Sequence, residues 1–191
     1  MRRYELMVIL DPDLEERTVA PSLDTFLNVV RKGGSAVIAA DSLTTFGTTR
    51  LAPAYDRHPE KITKYADSFI GVAGSAAHQL VLENVLARTP NLDFDGKAAI
   101  YESFRKLHPV LKDEAFLNPK EEEDDPYESS QMTVMLANPS GIFAVYSMRD
   151  VFEFERFWAI GSGRDFALGA MYSLYERTKS AAAIAEAGVM A

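Results

Sequence analysis

The sequence has no cysteine, which excludes disulfide bonds, thiol nucleophiles and thiolate–zinc sites. Histidine is scarce as well. The three histidines, His58, His78 and His108, lack the spacing of a metal-binding motif, and each is better interpreted as a surface or packing residue. We therefore expect neither a metal nor a cofactor. A chain without cysteine is compatible with a reducing compartment, and we expect the protein to be cytoplasmic.

Long apolar runs are also missing. No stretch approaches the ~20 residues that a transmembrane helix needs. The opening residues, MRRYE, become acidic too early for a signal peptide. The net charge of −8 leaves no broad basic face that would attract phosphates. The sequence therefore argues against a membrane and against nucleic acid as partners.

What the sequence does have is the composition of a globular protein. Its 191 residues are 47% hydrophobic and 25% charged, which is enough for one well-buried domain, or for one domain with an appendage. The pattern of apolar residues predicts an α+β fold in which helices cover a sheet. A strand is expected at Tyr4–Leu10, followed by a helix that starts near Pro12.

One stretch, Thr25–Asp41 with the sequence TFLNVVRKGGSAVIAAD, decides how the rest is interpreted. In the first interpretation it is a β-hairpin whose turn is Gly33–Gly34, because adjacent glycines supply the positive φ angles that a tight turn needs. In the second, Thr25–Lys32 ends a helix, because apolar residues recur there at helical spacing with glycine beyond. Residues after Gly34 favour the hairpin, and residues before Thr25 favour the helix.

Later segments have plainer signals. The pattern predicts short strands, helices, more strands and two last helices. In order, these are strands at Lys61–Tyr65 and Asp67–Val72, a helix from Ser75 to Arg88, a helix at Ile100–Leu111 disturbed by Pro109, strands at Gln131–Leu136, Ile142–Ser147 and Val151–Ile160, a helix from Asp165 to about Arg177, and one that Ser180 caps.

Four blocks of the chain together resemble one known family. They are VVRKGGSAVIAADS at Val29–Ser42, EKI at Glu60–Ile62, FIGVAGSAAH at Phe69–His78 and WAIGSGRDFALGAMYSLYE at Trp158–Glu176. In this order they resemble the proteasome-type threonine peptidases, which are N-terminal-nucleophile hydrolases that include HslV. The resemblance covers about residues 25–191.

This resemblance implies a four-layer αββα sandwich that assembles into homo-oligomeric rings and hydrolyses unfolded polypeptides. It leaves open whether an ATPase acts with the ring. It also implies that the domain is truncated at its C-terminal end, because the family's later aspartate, serine and last strands have no counterpart before Ala191.

Residues 1–34 resemble a second family. Their sequence, MRRYELMVILDPDLEERTVAPSLDTFLNVVRKGG, is similar to the opening strand and helix of the bacterial small-subunit ribosomal protein S-six. That resemblance implies a ferredoxin-like fold that binds ribosomal RNA. We therefore divide the chain into a leader, residues 1–24, that is foreign to the peptidase, and a proteasome-like domain, residues 25–191.

The peptidase resemblance assigns a role to each of five residues. Thr25 matches the nucleophile, whose own α-amine would be the general base once cleavage after Asp24 has freed it. Lys61 would favour loss of the hydroxyl proton and Asp41 would hold Lys61 in place. Two further residues complete the implied site: the N–H of Gly74 would form the oxyanion hole, and Ser162 would hydrogen-bond around the amine.

Each of these residues also has a structural interpretation. Asp41 can cap a turn, Lys61 can be solvated, and Gly74 and Ser162 can belong to turns that precede helices. Three functions consequently stay open: a threonine peptidase, an rRNA-binding module and a catalytically inactive ring or structural subunit. Whether the run before Gly33 is extended or helical separates them.

Overall fold

The computed structural model describes residues 4–8, 26–46, 49–51, 53–57, 60–120 and 123–191. Within these ranges two β-sheets pack face to face, and pairs of helices cover their outer faces. In chain order the elements are β1 (Tyr4–Val8), β2 (Phe26–Lys32), β3 (Ser35–Ala40), β4 (Thr44–Phe46), β5 (Thr49–Leu51), β6 (Ile62–Tyr65), β7 (Ser68–Ala73), α1 (Ala76–Arg88), α2 (Lys97–Asp113), β8 (Thr133–Ala137), β9 (Ile142–Val145), β10 (Val151–Phe154), β11 (Phe157–Gly161), α3 (Arg164–Tyr175) and α4 (Ala181–Val189).

The two main sheets have different compositions. The first has four strands in the order β1-β3-β2-β11, and the second has five in the order β10-β9-β8-β7-β6. Side chains from the facing strands form a buried layer between the sheets. A second buried layer lies between the five-stranded sheet and the helices α1 and α2, and a third between the four-stranded sheet and the helices α3 and α4. The expected αββα sandwich is confirmed.

The β2–β3 hairpin settles the ambiguity of the central stretch. Phe26–Lys32 is extended, and the turn residues Gly33 and Gly34 have φ angles of 59° and 81°. The helical interpretation of this run is therefore wrong. It arose because β2 is buried on both faces: Val29 packs between the sheets while Val30 packs against the helices. Such strands are continuous apolar runs instead of alternating ones.

The strand expected at the start of the chain is confirmed over Tyr4–Val8. β1 runs parallel to β3, with Tyr4 opposite Ala36 and Val8 opposite Ala40. β1 is thus an edge strand of the four-stranded sheet. The helix expected after Pro12 lies outside the described residues.

Two details of the later chain differ from expectation. The strand predicted at Val151–Ile160 is in fact two strands, because the chain crosses from one sheet to the other at Glu155–Arg156: β10 pairs with β9 and β11 pairs with β2. Pro109 does not interrupt α2. Its ring lies on the exposed side of the helix, where water can satisfy the carbonyl that a proline leaves without a donor.

The other predicted helices and strands are found close to their expected bounds. Ser75 and Ser180 cap α1 and α4, where their hydroxyls accept hydrogen bonds from the N–H groups of Ala77 and Ala183. None of the helices in the described part of the chain is long and apolar enough to cross a membrane.

Candidate active site

The predicted site residues of the four-stranded sheet lie at one end of the sandwich. β2 begins at this end, and the antiparallel register pairs its first residues with the last residues of β3 and β11. Asp41 follows β3 directly, and Ser162 follows β11 directly. Thr25, the predicted nucleophile, immediately precedes β2 in the sequence and lies outside the described residues.

The five-stranded sheet contributes its two predicted residues at the same end. Lys61 directly precedes β6 and Gly74 directly follows β7, and these strands are antiparallel neighbours. The two sheets approach closely here. A Cβ atom built on Gly71 of β7 would lie only 2.6 Å from the Cδ2 atom of Leu27 in β2. The missing side chain at Gly71 therefore lets the start of β2 pack onto β7.

Asp41 and Lys61 form an ion pair that joins the two sheets. Lys61 Nζ lies 2.8 Å from Asp41 Oδ1, and the two side chains are only 7% and 16% exposed, with lysine the more buried. Lys61 Nζ also donates to the carbonyl oxygen of Leu43 at 2.5 Å, while the N–H of Leu43 donates to Asp41 Oδ2 at 3.1 Å. The lysine is thus held by two oxygens from one turn.

Burial lowers the pKa of Lys61 below that of an exposed lysine, and the Coulombic attraction and hydrogen bond of Asp41 oppose part of that shift. A lysine whose charge is both desolvated and paired is a means of stabilising negative charge on a neighbouring oxygen. The interpretation of Lys61 as an ordinary solvated lysine is wrong for this structure.

Gly74 occupies a conformation that suits glycine. Its φ is 134°, a region that residues with a side chain rarely adopt. It precedes Ser75, the N-cap of α1, so the backbone here lies at the positive end of the helix dipole. Gly74 is also exposed. A backbone N–H at the start of a helix is a donor that can stabilise negative charge.

Ser162 is exposed at the same end of the sandwich. The N-cap position of α3 is occupied by Gly163, so Ser162 does not cap that helix. Ser162 instead lies in the turn that precedes α3, which agrees with its structural interpretation and assigns it no chemical role.

His78 is a residue that the sequence analysis did not connect with the site. It lies in the first turn of α1, and its Nδ1 is 3.5 Å from the position that a Cβ on Gly74 would take. That Nδ1 is buried and has no hydrogen-bond partner. Burial also lowers the pKa of His78, which favours the neutral ring. The signal available in the sequence was the four-residue spacing from Gly74 to His78 at a helix start.

His108 lies apart from this arrangement. His108 is buried on α2 between Glu128, which is 3.1 Å from its Nε2, and Arg149, which is 3.3 Å from its Nδ1. It is a packing residue in a polar cluster, as expected. His58 lies outside the described residues. Across the described ranges, no three histidine or carboxylate side chains are grouped closely enough to hold a metal ion.

Solved structures with the same fold cover most of the chain. A structure of Thiobacillus denitrificans BPH superposes with a TM-score of 0.81 at 40% sequence identity, over 87% of this chain and 88% of that one. A second structure of the same protein, in complex with epoxomicin, has a TM-score of 0.80 at 39% identity. Eukaryotic HslV from Trypanosoma brucei has the same fold, with a TM-score of 0.60 at 22% identity.

Curated sequence relatives belong to a different protein family and match about a third of the chain. The small ribosomal subunit protein bS6 of Rhodococcus opacus is 57% identical over 67 residues, which is 35% of this chain and 67% of bS6. The bS6 of Mycolicibacterium paratuberculosis is 60% identical over 62 residues, or 62% of its length. The chain thus spans about two thirds of the bS6 proteins that it matches. No protein-family model matches the chain.

Proposed function

Because the chain belongs to the HslV-like, proteasome-type peptidases over most of its length, we propose that it is a threonine-type endopeptidase subunit with Thr25 as its nucleophile. Its substrates would be unfolded polypeptides, and it would work as a homo-oligomeric ring in the cytoplasm. Whether an ATPase delivers substrate is left open. The single observation that carries the proposal is the buried Lys61–Asp41 ion pair, which lies at the end of the sandwich where β2 begins.

In the proposed reaction, the Thr25 hydroxyl attacks the substrate carbonyl and passes its proton to the free Thr25 amine. The amine suits this role because its reference pKa of about 7.7–8.0 is close to neutral pH. The Lys61 ammonium stabilises the negative charge that develops on the threonine oxygen. Asp41 and the Leu43 carbonyl keep that ammonium in place.

The tetrahedral intermediate carries its negative charge on the former carbonyl oxygen. The N–H of Gly74, at the start of α1, is proposed to stabilise this oxyanion. Collapse of the intermediate breaks the peptide bond, the amine proton goes to the leaving nitrogen, and an ester remains on Thr25. Water then hydrolyses the ester. Ser162, next to the start of β2, would hydrogen-bond to the amine throughout.

The amine of Thr25 must first be freed from Asp24. We propose that Thr25 performs this step within the chain, with a water molecule in place of the amine: the water takes the hydroxyl proton, and the leaving Thr25 nitrogen receives a proton from it. The Thr25 hydroxyl attacks the Asp24 carbonyl, the peptide bond is replaced by an ester, and water hydrolyses that ester. The products are residues 1–24 with a new carboxylate and a chain that starts with the free amine of Thr25.

Peptide hydrolysis by the purified full-length protein tests the proposal. Cleavage of a fluorogenic peptide should be abolished by Thr25→Ala and reduced by Lys61→Ala. Thr89→Ala is the matched control, because Thr89 follows the far end of α1, roughly 20 Å from Gly74 at 1.5 Å per helical residue. Equal activity of the Thr25→Ala and unaltered proteins would rule out this nucleophile.

A second candidate function rests on the bS6 similarity, which at 57% identity is a specific match. We propose it as the weaker alternative, an rRNA-binding module. The net charge of −8 opposes phosphate binding, and β2, which lies in the segment that resembles the ribosomal protein (residues 1–34), is buried within the sandwich. Binding to a ribosomal RNA fragment that weakens steeply with salt would support this alternative. Absence of binding at low salt would exclude it.

A further inference from the structure

The side chain of His78 contains a buried polar atom that the protein itself does not satisfy. Its Nδ1 has no hydrogen-bond partner and almost no contact with solvent. Unpaired buried polar atoms are rare in folded proteins, because an unmade hydrogen bond destabilises the folded state. The unpaired Nδ1 of His78 therefore needs an explanation in terms of its surroundings.

The position of this atom supplies the reason. Nδ1 faces Gly74 from the first turn of α1, on the side where any other residue would carry its Cβ. A group that accepts a hydrogen bond from the Gly74 N–H would lie about 2.9 Å from that nitrogen. His78 Nδ1 thus lies beside the residue whose N–H would bind that group, 3.5 Å from the Cβ position of Gly74. His78 is also only half buried, so its ring has room to adjust at the surface.

The imidazole ring of His78 can be a hydrogen-bond donor. Burial favours neutral imidazole, and a neutral ring can carry its proton on either nitrogen. With the proton on Nδ1, the ring would offer a second N–H beside the one from the backbone. Two donors converging on one oxygen stabilise an oxyanion more than either does alone.

We propose that His78 is a further catalytic residue, whose Nδ1–H donates a hydrogen bond to the same carbonyl oxygen that the Gly74 N–H is proposed to bind. This inference rests on the proposed function, since it assigns a second donor to the oxyanion site of that peptidase. His78 Nδ1, which has no hydrogen-bond partner in the free protein, would gain an acceptor from the reacting group. The bond is strongest when the oxygen is negative, so it lowers the barrier to the chemical step.

Three variants of the full-length protein separate this role from packing. His78→Asn places an amide donor near the position of Nδ1. His78→Gln places its amide near the position of Nε2, and His78→Leu removes both donors while filling the space. We expect His78→Leu and His78→Gln to lower kcat by about 10- to 100-fold with little change in KM. His78→Asn should keep most of the kcat of the unaltered protein. Thermal unfolding of all three should match the unaltered protein.

The outcomes are distinct. Equal kcat values for His78→Asn and His78→Gln would overturn the inference, as would a large loss of thermal stability in His78→Leu, because His78 would then be a packing residue. If the unaltered protein hydrolyses no peptide after incubation, the proposed function fails and this inference fails with it. If the unaltered protein is active and His78→Leu is equally active, only this inference fails.

Discussion

At the scale of single residues, the site depends on a charged pair that is removed from water. Lys61 and Asp41 are far apart in sequence, and their placement in register with a known family is what predicted the pair. Their burial could not be predicted in the same way. It results from the packing of two sheets, and each side chain taken alone is an ordinary surface residue in the sequence.

The pair should show strong coupling in a double-mutant cycle. Replacing one member leaves the other as a buried charge without a partner, so Asp41→Asn or Lys61→Met should each lower the free energy of unfolding by about 3 kcal/mol. The double variant should lose less than the sum of the two. Chemical denaturation measures all four proteins. Additive losses would show that the two charges do not stabilise each other.

The pH dependence of stability tests the environment of Lys61 separately. Because its pKa is lowered in the folded protein, the unfolded chain binds a proton that the folded chain has already lost, at pH values between the lowered pKa and about 10.5. The free energy of unfolding should therefore rise with pH across that window. Lys61→Met should remove this rise, and an unchanged slope in that variant would contradict the burial of the lysine.

At the scale of secondary-structure elements, the capping serines could be predicted from local chemistry, whereas the two-glycine turn was one of two interpretations that local chemistry allowed. The crossing at Glu155–Arg156 could not, because apolar residues lie on both sides of it and resemble one continuous strand. Nor could the sequence decide the state of β2, whose two buried faces give it the apolar content of a helix and of a strand alike. Tertiary packing determines both the crossing between sheets and the extended conformation of β2.

Packing between β2 and β7 can be tested at Gly71. An added methyl group there would meet the fully buried side chain of Leu27, so Gly71→Ala should lower stability by about 1–3 kcal/mol and reduce peptidase activity. Gly169→Ala on α3 is the control. Its Cβ would enter open space, and it should raise stability by about 0.5–1 kcal/mol. Denaturation curves give the free energy of unfolding of both variants. Equal changes in that free energy would contradict the close approach of the sheets.

The pairing of β1 with β3 predicts that the leader, residues 1–24, stays bound after cleavage. Five residues of β1 pair with β3, so after cleavage behind Asp24 the β1–β3 backbone hydrogen bonds would still attach the leader to the sheet. After processing, native mass spectrometry should find the leader bound, and denaturing mass spectrometry should find it separate. A processed protein that lacks the leader under native conditions would contradict a stable β1–β3 pairing.

At the scale of the whole molecule, the chain combines two resemblances that belong to different functions. The peptidase fold accounts for most of the chain, and residues 1–34, which resemble the ribosomal protein, contribute β1 and β2 to its four-stranded sheet. The order of the elements and the αββα layers could be predicted from the four matched blocks. The use of the first residues as an added strand of the peptidase sheet could not, because neither resemblance implies it.

The most direct test of a threonine peptidase is the mass of the protein after incubation with epoxomicin, the compound present in one structure of Thiobacillus denitrificans BPH. The account predicts a species that starts at Thr25 and carries one inhibitor, with the adduct located on that residue by peptide sequencing. A full-length chain that stays uncleaved and unlabelled would contradict it.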